Sequence, residues 1–241
     1  MKNKVDIIAE TDHWIALNKP AGLLSIPDRE QSAPSLKDWL QERYGKVFVV
    51  HRLDQFTSGL ILFAKNEATH RLLSKQFEER SVEKKYLGLV LGTPIQPAGS
   101  VDAAIMEHPG RAGYYITHNK GKASFTDYRL LQSLGQYAWM EFNIHTGRTH
   151  QIRVHMKHIG HPIVCDELYG NGQPVLLSAI KRKKFKLSKA ADAEQPLLQR
   201  LALHAWTLQF RDTDGTERLL EAPLPKDLRA LLQQLEKWTA R

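Results

Sequence analysis

Asp54 has the surroundings of a reactive group. It lies in the segment "HRLDQFTSG", residues 51–59, where it follows Arg52 closely and precedes Thr57, Ser58 and a long apolar run that starts at Gly59. A loop that leads into a buried strand holds its side chains firmly, and such loops often carry functional groups. From this segment alone, Asp54 is either a reactive carboxylate or a turn residue that pairs with Arg52.

A second candidate site is the basic stretch "HTGRTHQIRVHMKHIGHP", residues 145–162. Its apolar spacing predicts a helix with Thr149 as its cap and Gly160 at its end. The cations on its other face could bind an anion together with the helix amino terminus; they are Arg148, His150, Arg153 and Lys157. A solvated basic helix face is the structural alternative.

The five histidines within seventeen residues of this stretch also raise the question of a metal site. No His-Glu-x-x-His pair is present, and the only nearby carboxylate or thiolate partners are Cys165 and Asp166. We therefore expect no metal.

Tyr86 is the third candidate, because it follows Lys84 and Lys85 at the start of a predicted strand. An aromatic ring beside cations can stack on a nucleobase, and its phenol can exchange a proton. Simple packing with a wet hydroxyl is the alternative.

Composition favours a polyanionic partner. The 34 Lys and Arg residues outnumber the 26 Asp and Glu residues, which gives a formal charge of +8, and basic proteins bind phosphates through counterion release. The single cysteine excludes an internal disulfide framework, while neither a signal peptide nor an apolar span of about 20 residues is recognisable. We expect a cytoplasmic protein without membrane contact.

The predicted elements must position these three sites. Strands and helices are interspersed without a regular βαβ rhythm, which predicts an α+β fold with a mixed, largely antiparallel central sheet and flanking helices. We expect one compact domain over residues 1–241. The basic block and polar stretch at 181–196 are expected to form a surface insertion loop.

Taken in order, six motifs resemble the RluA-type family of pseudouridine synthases over about residues 7–223. They are "NKPAG", "HRLDQFTSG", "KKYLGLV", "HTGRTHQIRVHMKHIGHPIVCD", "LYG" and "RLALHAW". The resemblance implies an isomerase that converts uridines of ribosomal or transfer RNA to pseudouridine, without cofactor or metal. It also implies that Asp54 is the catalytic aspartate, which attacks the base or the ribose or otherwise assists glycosidic cleavage. Tyr86 is then expected to stack on the flipped uracil or act as a base, and Arg153 to pair with Asp54.

The resemblance leads to further expectations about substrate binding. Cations expected at the RNA backbone are Lys19, Arg52, Arg148 and His150 with its histidine-rich helix, and the expected pocket walls are Leu53 and Leu203. Phe56 stands where proline is more usual in such a motif, and Phe185 interrupts the basic block. We expect residues 1–241 to form a single catalytic domain without the separate amino-terminal RNA-binding domain that many relatives carry, and we expect a monomer. Alternatives from other classes are a non-catalytic RNA-binding or ribosome-assembly protein and a hydrolase that releases uracil.

Overall fold

The computed structural model describes residues 5–28, 30, 33–181 and 193–239. Twelve strands lie in these ranges: β1 Asp6–Glu10, β2 Trp14–Lys19, β3 Phe48–Val49, β4 Ser58–Ala64, β5 Glu83–Leu91, β6 Ala98–Asp102, β7 Ile105–Glu107, β8 Tyr115–Thr117, β9 Phe125–Leu134, β10 Tyr137–Ile144, β11 Leu203–Arg211 and β12 Glu217–Glu221. The helices in the same ranges are α1 Leu36–Tyr44, α2 Glu67–Glu78, α3 Gln151–His158, α4 Leu177–Lys181 and α5 Lys226–Thr239.

Ten of the strands form one sheet in the order β1-β2-β4-β11-β5-β10-β9-β6, with β3 paired to β4 and β12 paired to β11. Its described strand pairs are antiparallel except for β4 and β11, which are parallel. The predicted α+β class with a mixed, largely antiparallel sheet is therefore confirmed. β7 and β8 form a separate hairpin.

The parallel pairing explains the glycine of the Thr-Ser-Gly segment. Gly59 pairs with Ala205 and has a φ of +114°, and a Cβ at this position would lie 2.1 Å from the carbonyl oxygen of Ala205. Only glycine can bring the two backbones this close. The segment after Asp54 is thus fastened to the centre of the sheet.

A hydrophobic core lies on each face of the sheet, and the central strand β4 contributes side chains to both cores. All seven of its residues are buried, and successive side chains point to opposite faces, so Ile61 and Phe63 join one core while Leu60 and Leu62 join the other. The first core is covered by α5 through Leu228, Leu231 and Leu235, and the second by Leu73 of α2.

Several local predictions have clear outcomes. Ser35 caps α1 in a full capping box with Asp38, and the hairpin turn at Gly215 joins β11 to β12. The helical spacing of Leu72, Leu73 and Phe77 predicts one apolar face, but Leu72 is exposed, since α2 turns Thr69 and Leu73 inward. The predicted insertion loop at 181–196 falls largely on residues 182–192, which lie outside the described residues.

Across the described ranges, no helix has the length and apolarity needed to cross a bilayer.

Candidate active site

A cavity of about 490 Å³ brings the three candidate segments together. Its walls come from the loop before β4, the end of α2 and the turn after it, the loop after β10 and the start of α3, with side chains of β5 and β11. The predicted site residues that line it are Arg52, Leu53, Asp54, Tyr86, Arg148, His150, Arg153 and Leu203. Segments far apart in the chain therefore form one site.

The loop that carries Asp54 is held by the "NKPAGLLS" segment. The hydroxyl of Ser25 donates to the carbonyl of Leu53 at 2.8 Å and accepts from its N–H at 3.0 Å, and the N–H of Gly22 donates to the carbonyl of Gln55 at 2.9 Å. The N–H of Thr57 closes a turn on the carbonyl of Asp54 at 3.1 Å. The backbone on both sides of Asp54 is therefore fixed, while its side chain remains 26% exposed to the cavity.

Lys19 supports this loop from inside the protein, which corrects its predicted contact with RNA phosphate. Its side chain is fully buried, and its ammonium donates to the carbonyls of Pro20 at 3.1 Å, Leu23 at 2.7 Å and Gln55 at 2.9 Å. Burial lowers the pKa of Lys19 to about 7, against the opposing effect of the Asp54 charge. All three donor hydrogens are used within the fold, so none is left for a phosphate.

Arg153 lies beside Asp54, but its close partner is another carboxylate. Its Nη1 is 3.6 Å from Oδ2 of Asp54, whereas Nε and Nη2 bind the two carboxylate oxygens of Asp166 at 2.7 and 2.8 Å. The bidentate pair expected with Asp54 is thus made with Asp166. Asp166 is itself buried and accepts from the N–H groups of Leu168 and Tyr169, so it holds the guanidinium rigidly.

Tyr86 is buried in the centre of the sheet, between Ala205 of β11 and Phe142 of β10. Burial first, and then the charge of Asp54, raise the pKa of Tyr86. The phenol therefore keeps its proton at neutral pH. It can stack or donate a hydrogen bond, but it does not start as a base.

The fold and the sequence are those of one known family. Residues 13–158 match the pattern of the family described as RNA pseudouridylate synthase. The chain belongs to this family. Its members are isomerases, and the resemblance to the RluA type is confirmed by relatives of that name.

Similar proteins cover most of the chain. It is 36% identical to an uncharacterized RNA pseudouridine synthase of Chlorobaculum parvum, over 96% of this chain and 74% of the relative. It is 38% identical to the dual-specificity RNA pseudouridine synthase RluA of Vibrio vulnificus, over 85% and 77%. Ribosomal large subunit pseudouridine synthase D of Nitrosomonas europaea is 36% identical, over 95% of this chain but 64% of the relative.

A solved structure also matches closely. The human RNA pseudouridylate synthase domain containing 4 superposes with a TM-score of 0.74 at 25% identity, over 95% of this chain and 92% of the human one.

In this pseudouridylate synthase His150 faces Asp54 instead of solvent, which changes its predicted role as an RNA contact. Its Nε2 lies 3.9 Å from Oδ2 of Asp54, and its Nδ1 is 2.8 Å from the hydroxyl of Tyr169. Burial lowers the pKa of His150, so the ring is mostly neutral at neutral pH. A neutral ring beside Asp54 can exchange a proton, but it is a poor phosphate ligand.

The rest of the histidine-rich helix also differs from prediction. Thr149 does not cap α3; His150 occupies the cap position with a φ of +57° and no side-chain cap bond. His155 is fully buried between Thr126 and the carbonyl of Ala103, and six consecutive residues of α3 are buried. In the described ranges no group of three potential metal ligands comes together. Most of the helix therefore serves the core of the site, and its exposed basic residues are Lys157 and His158 at the end.

Arg52 and Arg148 are the predicted RNA cations that do lie at the cavity rim. Arg52 is exposed and its Nη2 donates to the hydroxyl of Thr149 at 3.3 Å, while Arg148 donates from Nε to the carbonyl of Ala123 at 3.1 Å. Leu53 and Leu203 are buried in the cavity wall, as expected of apolar contacts for a base.

Asp166 is the site residue that sequence reasoning missed. It was considered only as a metal partner for the histidines. A buried arginine needs a carboxylate to offset its desolvation, and Asp54 had to remain accessible to substrate. That requirement alone was a reason to look for a second carboxylate near Arg153.

Proposed function

We propose that this enzyme isomerises uridines of ribosomal or transfer RNA with Asp54 as the reacting carboxylate. The observation that carries the proposal is the position of Asp54. Its carboxylate is accessible from the cavity, its backbone is fixed by hydrogen bonds, and the same cavity is lined by Tyr86 and several cations. The relative named for the large ribosomal subunit and the one named for dual specificity support this substrate class.

Each group has a role that follows from its geometry. Arg153, fixed by Asp166, lies 3.6 Å from Asp54 and orients its carboxylate. The buried ring of Tyr86 supplies a flat surface for the uracil, and Leu53 and Leu203 exclude water. The target base must leave its stack, which costs a few kcal/mol and is offset by such contacts.

The reaction balances without an added reagent. The bond between ribose C1′ and uracil N1 breaks, the base turns, and a bond between C1′ and C5 forms. N1 gains one proton and C5 loses one, so the product is an isomer of the substrate. Asp54 attacks either the base or the ribose and is regenerated at the end.

The deciding experiment is tritium release from transcribed ribosomal and transfer RNA labelled at C5 of uridine. We expect wild type to release tritium and Asp54→Asn to be slower by at least about a thousandfold, because loss of a nucleophile removes the step it performs. The exposed Asp102, which lies outside the cavity, provides the control variant Asp102→Asn, with near wild-type release expected.

Other outcomes would favour other functions. Free uracil would identify a hydrolase. Tight RNA binding with no tritium release from wild type would identify a non-catalytic RNA-binding protein, and equal release by Asp54→Asn would remove Asp54 from the mechanism.

A further inference from the structure

Lys84 is a buried cation in the catalytic cavity with no counter-ion among the described residues. It precedes Tyr86 by two positions on β5 and is only 8% exposed, yet it lines the same cavity. Its Nζ lies 5.4 Å from the ring centroid of Phe77. In contrast, Lys85 points away and is 3.0 Å from Glu83. A buried ammonium without a carboxylate is unfavourable, so its position calls for a function.

Arg80 lines the cavity with Lys84 and holds a backbone conformation that favours glycine. It follows the end of α2 with a φ of +59°, a position where helices usually place glycine. Strain of this kind persists where the side chain is needed. The charge of Arg80, after the larger effect of burial, lowers the pKa of Lys84, so the two cations repel each other in the free protein.

The groups around Lys84 do not supply a negative charge that would offset the repulsion between Lys84 and Arg80. His51 stacks on Phe77 with centroids 4.8 Å apart, and burial followed by the charge of Lys84 lowers the pKa of His51 to about 3, so the ring is neutral. Glu78 also lines the cavity, but within the described part of the chain no carboxylate oxygen comes within 4.0 Å of Nζ of Lys84.

We propose that Lys84 and Arg80 form a binding site for one phosphate group of the RNA strand, adjacent to the base that rests on Tyr86. Residues two apart on a strand lie on the same face about 7 Å apart, so an anion at Lys84 is next to the base position. A phosphodiester oxygen would accept from the ammonium and from the guanidinium fork. The inference rests on the proposed function only in that RNA must enter the cavity.

The test is RNA affinity as a function of salt, measured by fluorescence anisotropy with a labelled single-stranded oligouridylate in the Asp54→Asn background. We expect Lys84→Met and Arg80→Gln each to weaken binding about five- to tenfold and to flatten the slope of log K against log[NaCl] by about 0.7, the value for one phosphate on a single strand. Lys85→Met is the matched control, with the slope unchanged.

Thermal unfolding provides a second readout that separates binding from folding. Lys84→Met removes a buried unpaired charge and keeps the volume, so we expect its Tm to rise while its RNA affinity falls. An unchanged slope in both Lys84→Met and Arg80→Gln would overturn the proposal, whatever happens to Tm.

Inorganic phosphate distinguishes the source of the anion. At constant ionic strength, added phosphate should displace more RNA from the Asp54→Asn protein than from the same protein carrying Lys84→Met. Displacement by phosphate without any change in the RNA slope would mean that the site takes free anions, and the RNA assignment would be wrong. If tritium release fails but the slopes differ as expected, the phosphate site stands and the proposed isomerase activity does not.

Discussion

Two cavities meet at Asp54, His150 and Arg153. They differ in whether the cations that line them are paired with carboxylates. The cavity of about 490 Å³ is lined by cations that pair with no carboxylate among the described residues, namely Arg52, Arg80, Lys84 and Arg148. In the second cavity, of about 330 Å³, Arg153 is held by Asp166, and Arg200 binds both oxygens of Asp227 at 2.6 and 2.7 Å.

The difference separates binding from positioning. Unpaired cations around a cavity favour a polyanion, because its phosphates supply the missing counter-charges. Paired ions are already neutralised, and their bidentate geometry fixes side chains at the boundary between the two cavities. We infer that RNA enters the first cavity and that the second one supports Arg153.

The largest expected effect tests the supporting role of the second cavity. Asp166→Asn removes the charge that balances buried Arg153, and we expect a loss of about 3–5 kcal/mol in the free energy of unfolding. The freed guanidinium should shift relative to Asp54, so kcat should fall about a hundredfold with little change in KM. Urea denaturation and tritium release at saturating RNA measure the two effects.

An ion pair with a buried carboxylate and a partly exposed arginine provides the control. Asp212 lies 3.0 Å from Arg218, away from both cavities, and Asp212→Asn should lower stability while leaving kcat unchanged. If Asp166→Asn behaves in the same way, Asp166 stabilises the fold only and the contrast between the cavities is lost.

The next prediction, of intermediate size, concerns the stability of the protein in acid and depends on a residue outside both cavities. His204 is buried at the β4–β11 pairing beside Ser58, and burial lowers its pKa from 6.5 to about 4. Between these values the unfolded chain binds the extra proton, so the free energy of unfolding falls as pH falls from about 6.5. Its share of the loss between about pH 7 and pH 5 is about 2 kcal/mol.

The variant His204→Gln checks this assignment. Glutamine keeps one donor and one acceptor near Ser58 and the carbonyl of Ala222, but it does not titrate. Urea denaturation of the variant should therefore show an acid-induced loss about 2 kcal/mol smaller than that of wild type. An equal loss in both proteins would assign the acid sensitivity to other groups.

The smallest expected effect asks whether RNA reaches the second cavity. Phe56 lies at its wall and is 48% exposed, so Phe56→Ala should leave stability unchanged and alter kcat/KM by less than about threefold. Loss of a stacked base costs about 1–3 kcal/mol, or at least about fivefold. A decrease of that size would place a nucleotide against Phe56 and would break the contrast between the two cavities.

Local patterns in the sequence were reliable where short-range physics decides. Alternating apolar residues form β10, Ser35 caps α1 and Asp214-Gly215 forms the turn after β11, and each feature depends on residues a few positions apart. Leu72 shows the limit of this reasoning. A helical stripe several residues wide does not reveal which of two adjacent leucines faces the core.

By itself the sequence determined the family and the α+β class, because residue types and motif order carry that information. Only the tertiary structure decided which charges are neutralised. Lys19 and Lys84 are both buried lysines, but one is surrounded by three carbonyls and the other faces Arg80. Arg153 makes its bidentate pair with Asp166 and lies 3.6 Å from Asp54, because the fold brings Asp166 closer. Ion pairs depend on ångström distances between distant segments, which residue identities alone do not specify.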